Sequence, residues 1–250
     1  MKKVIKSSDP LIALQEFTAA RIAIGRAGTS IPLKQSLEFK LAHAHARDAV
    51  YSSLNVDGLI ADLKQFDLPV IHLHSQAGYR EQYLQRPDLG RKLDEKSVEQ
   101  LKEYHQPTDI SIIIADGLSA AAINTNVIGL LKALIPLFQS VDFKLADIVL
   151  VEEGRVAIAD EIAAAMNAKL SLILIGERPG LSSTDSIGAY LTYQPKPGLT
   201  DESRNCVSNI RPDGLNYKQA SKKIFYLIQE AFSRKLSGVA LKDNAGLLHE

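Results

Sequence analysis

A single cysteine, Cys206, stands in a chain of 250 residues. One thiol excludes an intramolecular disulfide and a multi-cysteine zinc site, and it fits a reducing, cytoplasmic setting. An excess of charge of either sign is also missing: Lys plus Arg and Asp plus Glu number 29 each. The basic surplus of a nucleic-acid binder is therefore absent. A near-neutral chain is prone to association, which points to a partner subunit. No apolar run approaches the ~20 residues that cross a bilayer, and residues 1–10 lack the apolar stretch of a secretory signal. A soluble protein is expected. The Gly-x-Gly-x-x-Gly, Gly-x-x-x-x-Gly-Lys-Ser/Thr and Gly-x-Ser-x-Gly signatures do not occur. A dinucleotide site, a P-loop or a serine hydrolase thus has no direct support.

What the chain has is a change of rhythm near residue 106. Before it, the pattern is helical and polar. Asp9 is placed to cap a helix with Pro10 at its first position and Leu11, Leu14, Phe17 and Ile22 at helical spacing. Further helical segments are expected over residues 33–51 and 56–66, with a short extended stretch at 68–75 and another helix reaching Tyr104. After it, apolar runs at residues 109–115, 147–151 and 170–175 alternate with helical segments: a helix of small residues after Ser119, a longer one over 127–140, and one at 158–168. Residues 206–210 read as a fourth strand, and a helix closes the pattern at 217–235. Near-continuous apolar strands imply burial on both faces. The expected fold is α/β: a Rossmann-like, mostly parallel sheet with helices on both faces (106–250), preceded by a smaller helical N-terminal domain (1–105).

Ligands of such sheets bind beyond the carboxyl ends of the strands. Asp116, Arg155, Glu177 and Cys206 are all expected near that edge. Gly176-Glu177-Arg178-Pro179-Gly180 follows a strand, with two glycines able to take positive φ and a proline fixing one angle. It reads either as a ligand-contacting loop or as an ordinary turn. Arg155 is suited to an anionic ligand group or to an ion pair with Glu177. Asp116-Gly117-Leu118-Ser119 places an acid and a hydroxyl after a strand, which serves hydrolysis or simply caps a helix. Cys206 as a nucleophile needs a base, and none of the six histidines is near it in sequence, so a buried free cysteine is expected. His72 and His74 share a strand face, but a third metal ligand at matching spacing is missing, so no metal site is expected.

Several of these stretches, in order, resemble the small (light) subunit of ethanolamine ammonia-lyase. They include Ala20-Arg21-Ile22 with Gly25-Arg26-Ala27-Gly28, Tyr83-Leu84 with Arg86-Pro87-Asp88-Leu89-Gly90-Arg91, and Asp116-Gly117-Leu118-Ser119. Gly154-Arg155-Val156, the run from Gly176 to Leu181, Cys206-Val207-Ser208-Asn209 and Ser237-Gly238 complete the set. The resemblance implies a non-catalytic subunit that helps enclose adenosylcobalamin, its cobalt held within the cofactor, against a large, TIM-barrel catalytic subunit. In that complex ethanolamine becomes acetaldehyde and ammonia. The implied cofactor contacts are Val156, Glu177 and Cys206. Members of the family often carry a longer N-terminal extension linked to packaging, whereas a short tail precedes the first helix here; a bacterial microcompartment or the cytoplasm is the expected location. Two other readings stand beside it. One is an independent small-molecule enzyme using Asp116, Glu177 and Cys206; the other is a pure assembly subunit that touches no cofactor.

Overall fold

Three runs of β-branched and leucine residues form the centre of a sheet because both of their faces are covered. The computed structural model describes residues 11–18, 20–104 and 106–244. In chain order it contains α1 (Leu33–Val50), α2 (Val56–Leu63), β1 (Val70–His74), α3 (Arg80–Gln85) and α4 (Glu95–Leu101). Then come β2 (Thr108–Ala115), α5 (Ala120–Gln139), β3 (Ile148–Glu152), α6 (Ile158–Ala165) and β4 (Ala168–Gly176). Finally come β5 (Ile187–Tyr193), β6 (Asn205–Ile210) and α7 (Tyr217–Arg234). The six strands make one mixed sheet in the order β1-β3-β2-β4-β5-β6.

The expected mostly parallel pairing holds on one side of β4 only. β1, β3, β2 and β4 pair in parallel, whereas β5 runs antiparallel to both β4 and β6. Loop length explains the switch. A parallel return needs a crossover of about a dozen residues or more, usually a helix. Residues 177–186 are all that separate β4 from β5, so the chain turns straight back. The sheet also draws on both sides of position 105: β1 pairs with β3 from Val70 opposite Ile148 to His74 opposite Glu152. The stretch from Ile187 to Tyr193, not expected as a strand, is β5.

Alternate residues of each strand feed two separate cores, as the period of two requires. On one face Ile112, Leu150, Leu172 and Leu191 pack under α2, α5 and α7. On the other, Ile113, Val149 and Ile173 pack under α4 and α6. α5 is one continuous helix where two in succession were expected. In length and composition it would also serve to cross a membrane, yet its Ile123, Val127, Leu130, Leu134 and Phe138 are buried on the sheet. Side-chain caps fix several helix starts: Asn55, Asp94, Ser119 and Asn216 each accept a backbone N–H from the first turn.

The N-terminal segment is less enclosed. Asp9 and Pro10 lie outside the described residues, and Ile12–Phe17 forms a 3-10 helix with none of its residues buried. α1 buries Ala49 alone. Its Leu33, Leu37 and Leu41, spaced to share one helix face, are 74%, 55% and 58% exposed.

Candidate functional site

The strand order places a topological switch point at the carboxyl ends of β2 and β4. From β2 the chain leaves through α5 on one face and returns as β3. From β3 it crosses through α6 on the other face and returns as β4, on the far side of β2. The loops after β2 and β4 therefore part, and a crevice opens between them, the usual ligand position in open α/β sheets. Here it is a cleft of ≈ 460 Å³ lined by Leu118, Val156, Ile175, Glu177, Arg178 and Tyr190, with Tyr83, Gly117, Arg155 and Gly176 completing the wall.

Close backbone contact shapes that cleft. Gly117 takes a left-handed φ of 57°, and the Leu118 N–H donates to the Gly176 carbonyl at 2.9 Å. Gly176 itself does not adopt the positive φ expected of it. It is glycine because a Cβ there would lie 2.1 Å from the Ser119 carbonyl oxygen and 2.5 Å from that of Asp116. Ser119 caps α5 through the Ala122 N–H, which settles the Asp-Gly-Leu-Ser motif as a strand end and helix cap.

Arg80, which the sequence pattern did not single out, ties the surrounding turns together. Its guanidinium donates to the Val50 carbonyl at 2.7 Å, to the Gly117 carbonyl at 2.8 Å and to the Glu153 carboxylate at 2.9 Å. Glu153 sits at a left-handed φ of 52°, a conformation uncommon for a residue with a long side chain. Tyr83 donates its hydroxyl to the Gly154 carbonyl and carries the Arg155 guanidinium 4.0 Å above its ring. The matched Tyr83-Leu84 segment was the one sequence signal for this support; Arg80 had none.

Asp116 is buried behind these turns and does not line the cleft. Its Oδ1 accepts the N–H groups of Gly117 and Gly154, at 2.9 and 3.2 Å. Burial first, and the Glu153 charge second, push its carboxyl up from the ordinary 3.8 to about 7, with Arg80 3.7 Å away opposing them. An acid held above its unfolded value stabilises the fold fully below that unfolded value, and the contribution is lost as pH rises through about 7. The unfolding midpoint of Asp116→Asn should therefore gain on that of the parent chain between about pH 5 and about pH 8. Parallel pH profiles for the two proteins would refute this.

Glu177 is fixed from two sides. Its backbone N–H donates to the Ser186 carbonyl, and its Oε2 accepts the Asn209 N–H, both at 3.0 Å. It makes no ion pair with Arg155, which leaves that guanidinium stacked on Tyr83 and donating to the Tyr83 carbonyl at 3.1 Å. Cys206 departs from its expected place at the strand edge. It is the second residue of β6, opposite Tyr190 and so level with Ile173 in the body of β4. The reason is strand direction: β6 runs the same way as β4, so its first residues start at the end of the sheet away from the cleft and only its carboxyl end reaches the cleft's level. Tyr190 packs against the α4–α6 core, while Cys206, expected to be buried, is exposed on the same face. Partial burial raises the Cys206 thiol above its usual value, the Tyr190 hydroxyl opposing and Glu177 reinforcing the shift. Val156 and Glu177 thus share the cleft, and Cys206 adjoins it through Tyr190.

This arrangement does not favour an independent enzyme built on Asp116, Glu177 and Cys206. The first is a buried brace and the second an anchored acceptor. The third has a raised thiol whose titration involves no histidine among the described residues. His72 and His74 also have structural partners. His72 Nε2 lies 2.9 Å from Glu152, a carboxylate supplied by the neighbouring strand, and His74 Nδ1 lies 2.8 Å from the Ser75 carbonyl.

A mixed α/β sheet with a cleft of mixed polar and apolar lining at its switch point places the chain among α/β proteins of the open-sheet kind. The chain belongs to the family described as Ethanolamine ammonia-lyase light chain (EutC), whose model matches residues 8–242. It is 47% identical over 248 residues to the ethanolamine ammonia-lyase small subunit of Pseudomonas putida (strain W619), covering 98% of this chain and 91% of that one. The protein of the same name from Pseudomonas aeruginosa (strain LESB58) is 49% identical over 243 residues, 96% and 89% of the two chains. That of Pseudomonas fluorescens (strain Pf0-1) is 48% identical over 248 residues, 98% and 90%.

Proposed function

We propose that the chain is the small subunit of an adenosylcobalamin-dependent ethanolamine ammonia-lyase, and that the switch-point cleft is its share of the cobalamin site. The single observation behind this is that Val156 and Glu177 line one cleft whose far wall, Tyr190, faces Cys206. A corrin is a largely apolar ring bordered by amides, and a site for it needs apolar surface with a few placed polar groups. Val156, Ile175, Leu118 and the Tyr190 ring supply the surface; the Glu177 carboxylate and the Tyr190 hydroxyl supply acceptors and a donor. The residues fit the group.

When bound, the cofactor supplies the radical chemistry, and protein groups bind and orient it. Glu177 is ready for an amide because the Asn209 N–H already fixes its carboxylate. Val156 presses on the ring, and Cys206 keeps the open face of β5–β6 shallow where a larger side chain would stand out. None of these residues moves a proton in the reaction. Ethanolamine itself is handled by a large, barrel-shaped partner subunit. The exposed leucine stripe of α1 supports a partner, since exposed apolar surface of that kind marks interaction sites. The complex works in the cytoplasm or in a bacterial microcompartment.

The test is co-expression with the large subunit, followed by an assay of cobalamin-dependent acetaldehyde release from ethanolamine. In that complex Glu177→Ala should weaken cobalamin binding about tenfold or more, the worth of a hydrogen bond to a charged group. Turnover at saturating cofactor should stay near the parent value. Unchanged cobalamin affinity in the variant would overturn the role given to Glu177.

A further inference from the structure

The cleft does not end at Arg155. A second chamber of ≈ 520 Å³ shares Leu118, Arg155 and Arg178 with it and runs on to α1, where Arg47, His43 and Tyr51 form the wall. Three guanidinium groups and an imidazole line this space, and no carboxylate does. Among the described residues Arg47, Arg155 and Arg178 form no ion pair. The buried Nε of Arg155 has no hydrogen-bond partner, although the same side chain is held rigidly on Tyr83. Arginines usually find acidic neighbours on a protein of balanced charge. Here they gather without one in a concave space, where their field is focused.

We infer that this chamber is an anion subsite, and that it takes the phosphodiester in the nucleotide tail of the cobalamin whose ring lies in the adjoining cleft. This rests on the cobalamin reading above and adds to it the orientation of the cofactor: ring toward Tyr190, tail toward α1. The chemistry fits the donors present. A phosphodiester is a monoanion with two unsubstituted oxygens, and the planar guanidinium fork matches such a pair of acceptors. Arg155 is the fixed donor shared by both spaces. Arg47 and Arg178, both exposed, reach in from opposite sides and meet the anion without giving up existing partners. The apolar remainder of the chamber, Ala46, Val50, Leu84 and Leu181, receives the neighbouring parts of the tail.

The experiment uses the co-purified complex of this chain with its large subunit. Binding is read by equilibrium dialysis with two probes: cyanocobalamin, and cobinamide, which keeps the ring but ends before the phosphodiester. Arg47→Ala, at a residue that lines the chamber and not the ring cleft, should weaken cyanocobalamin about tenfold, the worth of one charge-assisted hydrogen bond. Cobinamide affinity should be unchanged, which also shows that the ring cleft survives the substitution. Equal losses for both probes, or no loss for cyanocobalamin, would overturn the assignment. An anion from another source is distinguished by inorganic phosphate. Arginine-dependent phosphate binding to a complex already saturated with cyanocobalamin would show that the chamber serves a separate ligand, and would overturn the assignment as well. Failure of the parent complex to bind cyanocobalamin strikes the proposed function itself, and this inference falls with it.

Discussion

Replacing Arg204 by Ala should destabilise the fold by about 3–5 kcal/mol, the cost of leaving one member of a buried ion pair without the other. Arg204, at the entry to β6, donates to Asp160 in the first turn of α6, and both side chains are 2% exposed. It also donates to the Leu199 carbonyl at 3.2 Å and to Asp201 at 3.3 Å, so one guanidinium ties α6 to the loop that delivers β6. Burial raises the Asp160 carboxyl above its usual value, and Arg204 only partly offsets that. Without the arginine the carboxyl rises further, so the variant's deficit should grow as pH increases from acid to neutral. Urea unfolding of Arg204→Ala and of Arg204→Met with Asp160→Asn distinguishes a lone buried charge from lost packing. The paired change should recover most of the loss. A single variant as stable as the parent chain would exclude this account.

Gly176→Ala is expected to cost about 3 kcal/mol, the upper end of ordinary overpacking. The obstructing atoms are backbone carbonyl oxygens of Ser119 and Asp116, 2.1 and 2.5 Å from the added methyl. Neither can swing aside as a side chain would. The turn after β2 has to move, and with it the wall of the cleft. Gly180→Ala serves as the control, because its nearest neighbour is 3.5 Å away. Unfolding midpoints that match for the two variants would show that the strand ends tolerate separation.

The central strands were legible because burial on both faces writes continuous apolar runs into β2, β3 and β4, and such runs need no partner to be recognised. β5 was hidden for the opposite reason. Gly188, Tyr190, Thr192 and Tyr193 interrupt its apolar residues, so no continuous apolar run marks it. Cys206 was misplaced for a simpler reason: it opens its strand, and a strand running with β4 begins at the end away from the cleft. β1 read as an isolated extended stretch, because five residues carry no mark of a partner strand more than seventy positions away. Glu177 was singled out from the turn that follows its strand, whereas Val156 entered only through the family resemblance. Arg80 was not, as a lone arginine on a short helix looks like solvated surface until the carbonyls of Val50 and Gly117 are seen to converge on it. Arg204 and Asp160 escaped notice similarly, since an aspartate in the first turn of a helix is ordinary sequence.

Arg80 has a consequence for how the site fills. By gripping the end of α1, the turn after β2 and the turn after β3 at once, it holds three walls in register before anything arrives. A recess already in shape loses little conformational entropy on capture. A molecule bound there as proposed would meet a mould rather than a lid, with selectivity exercised at first encounter.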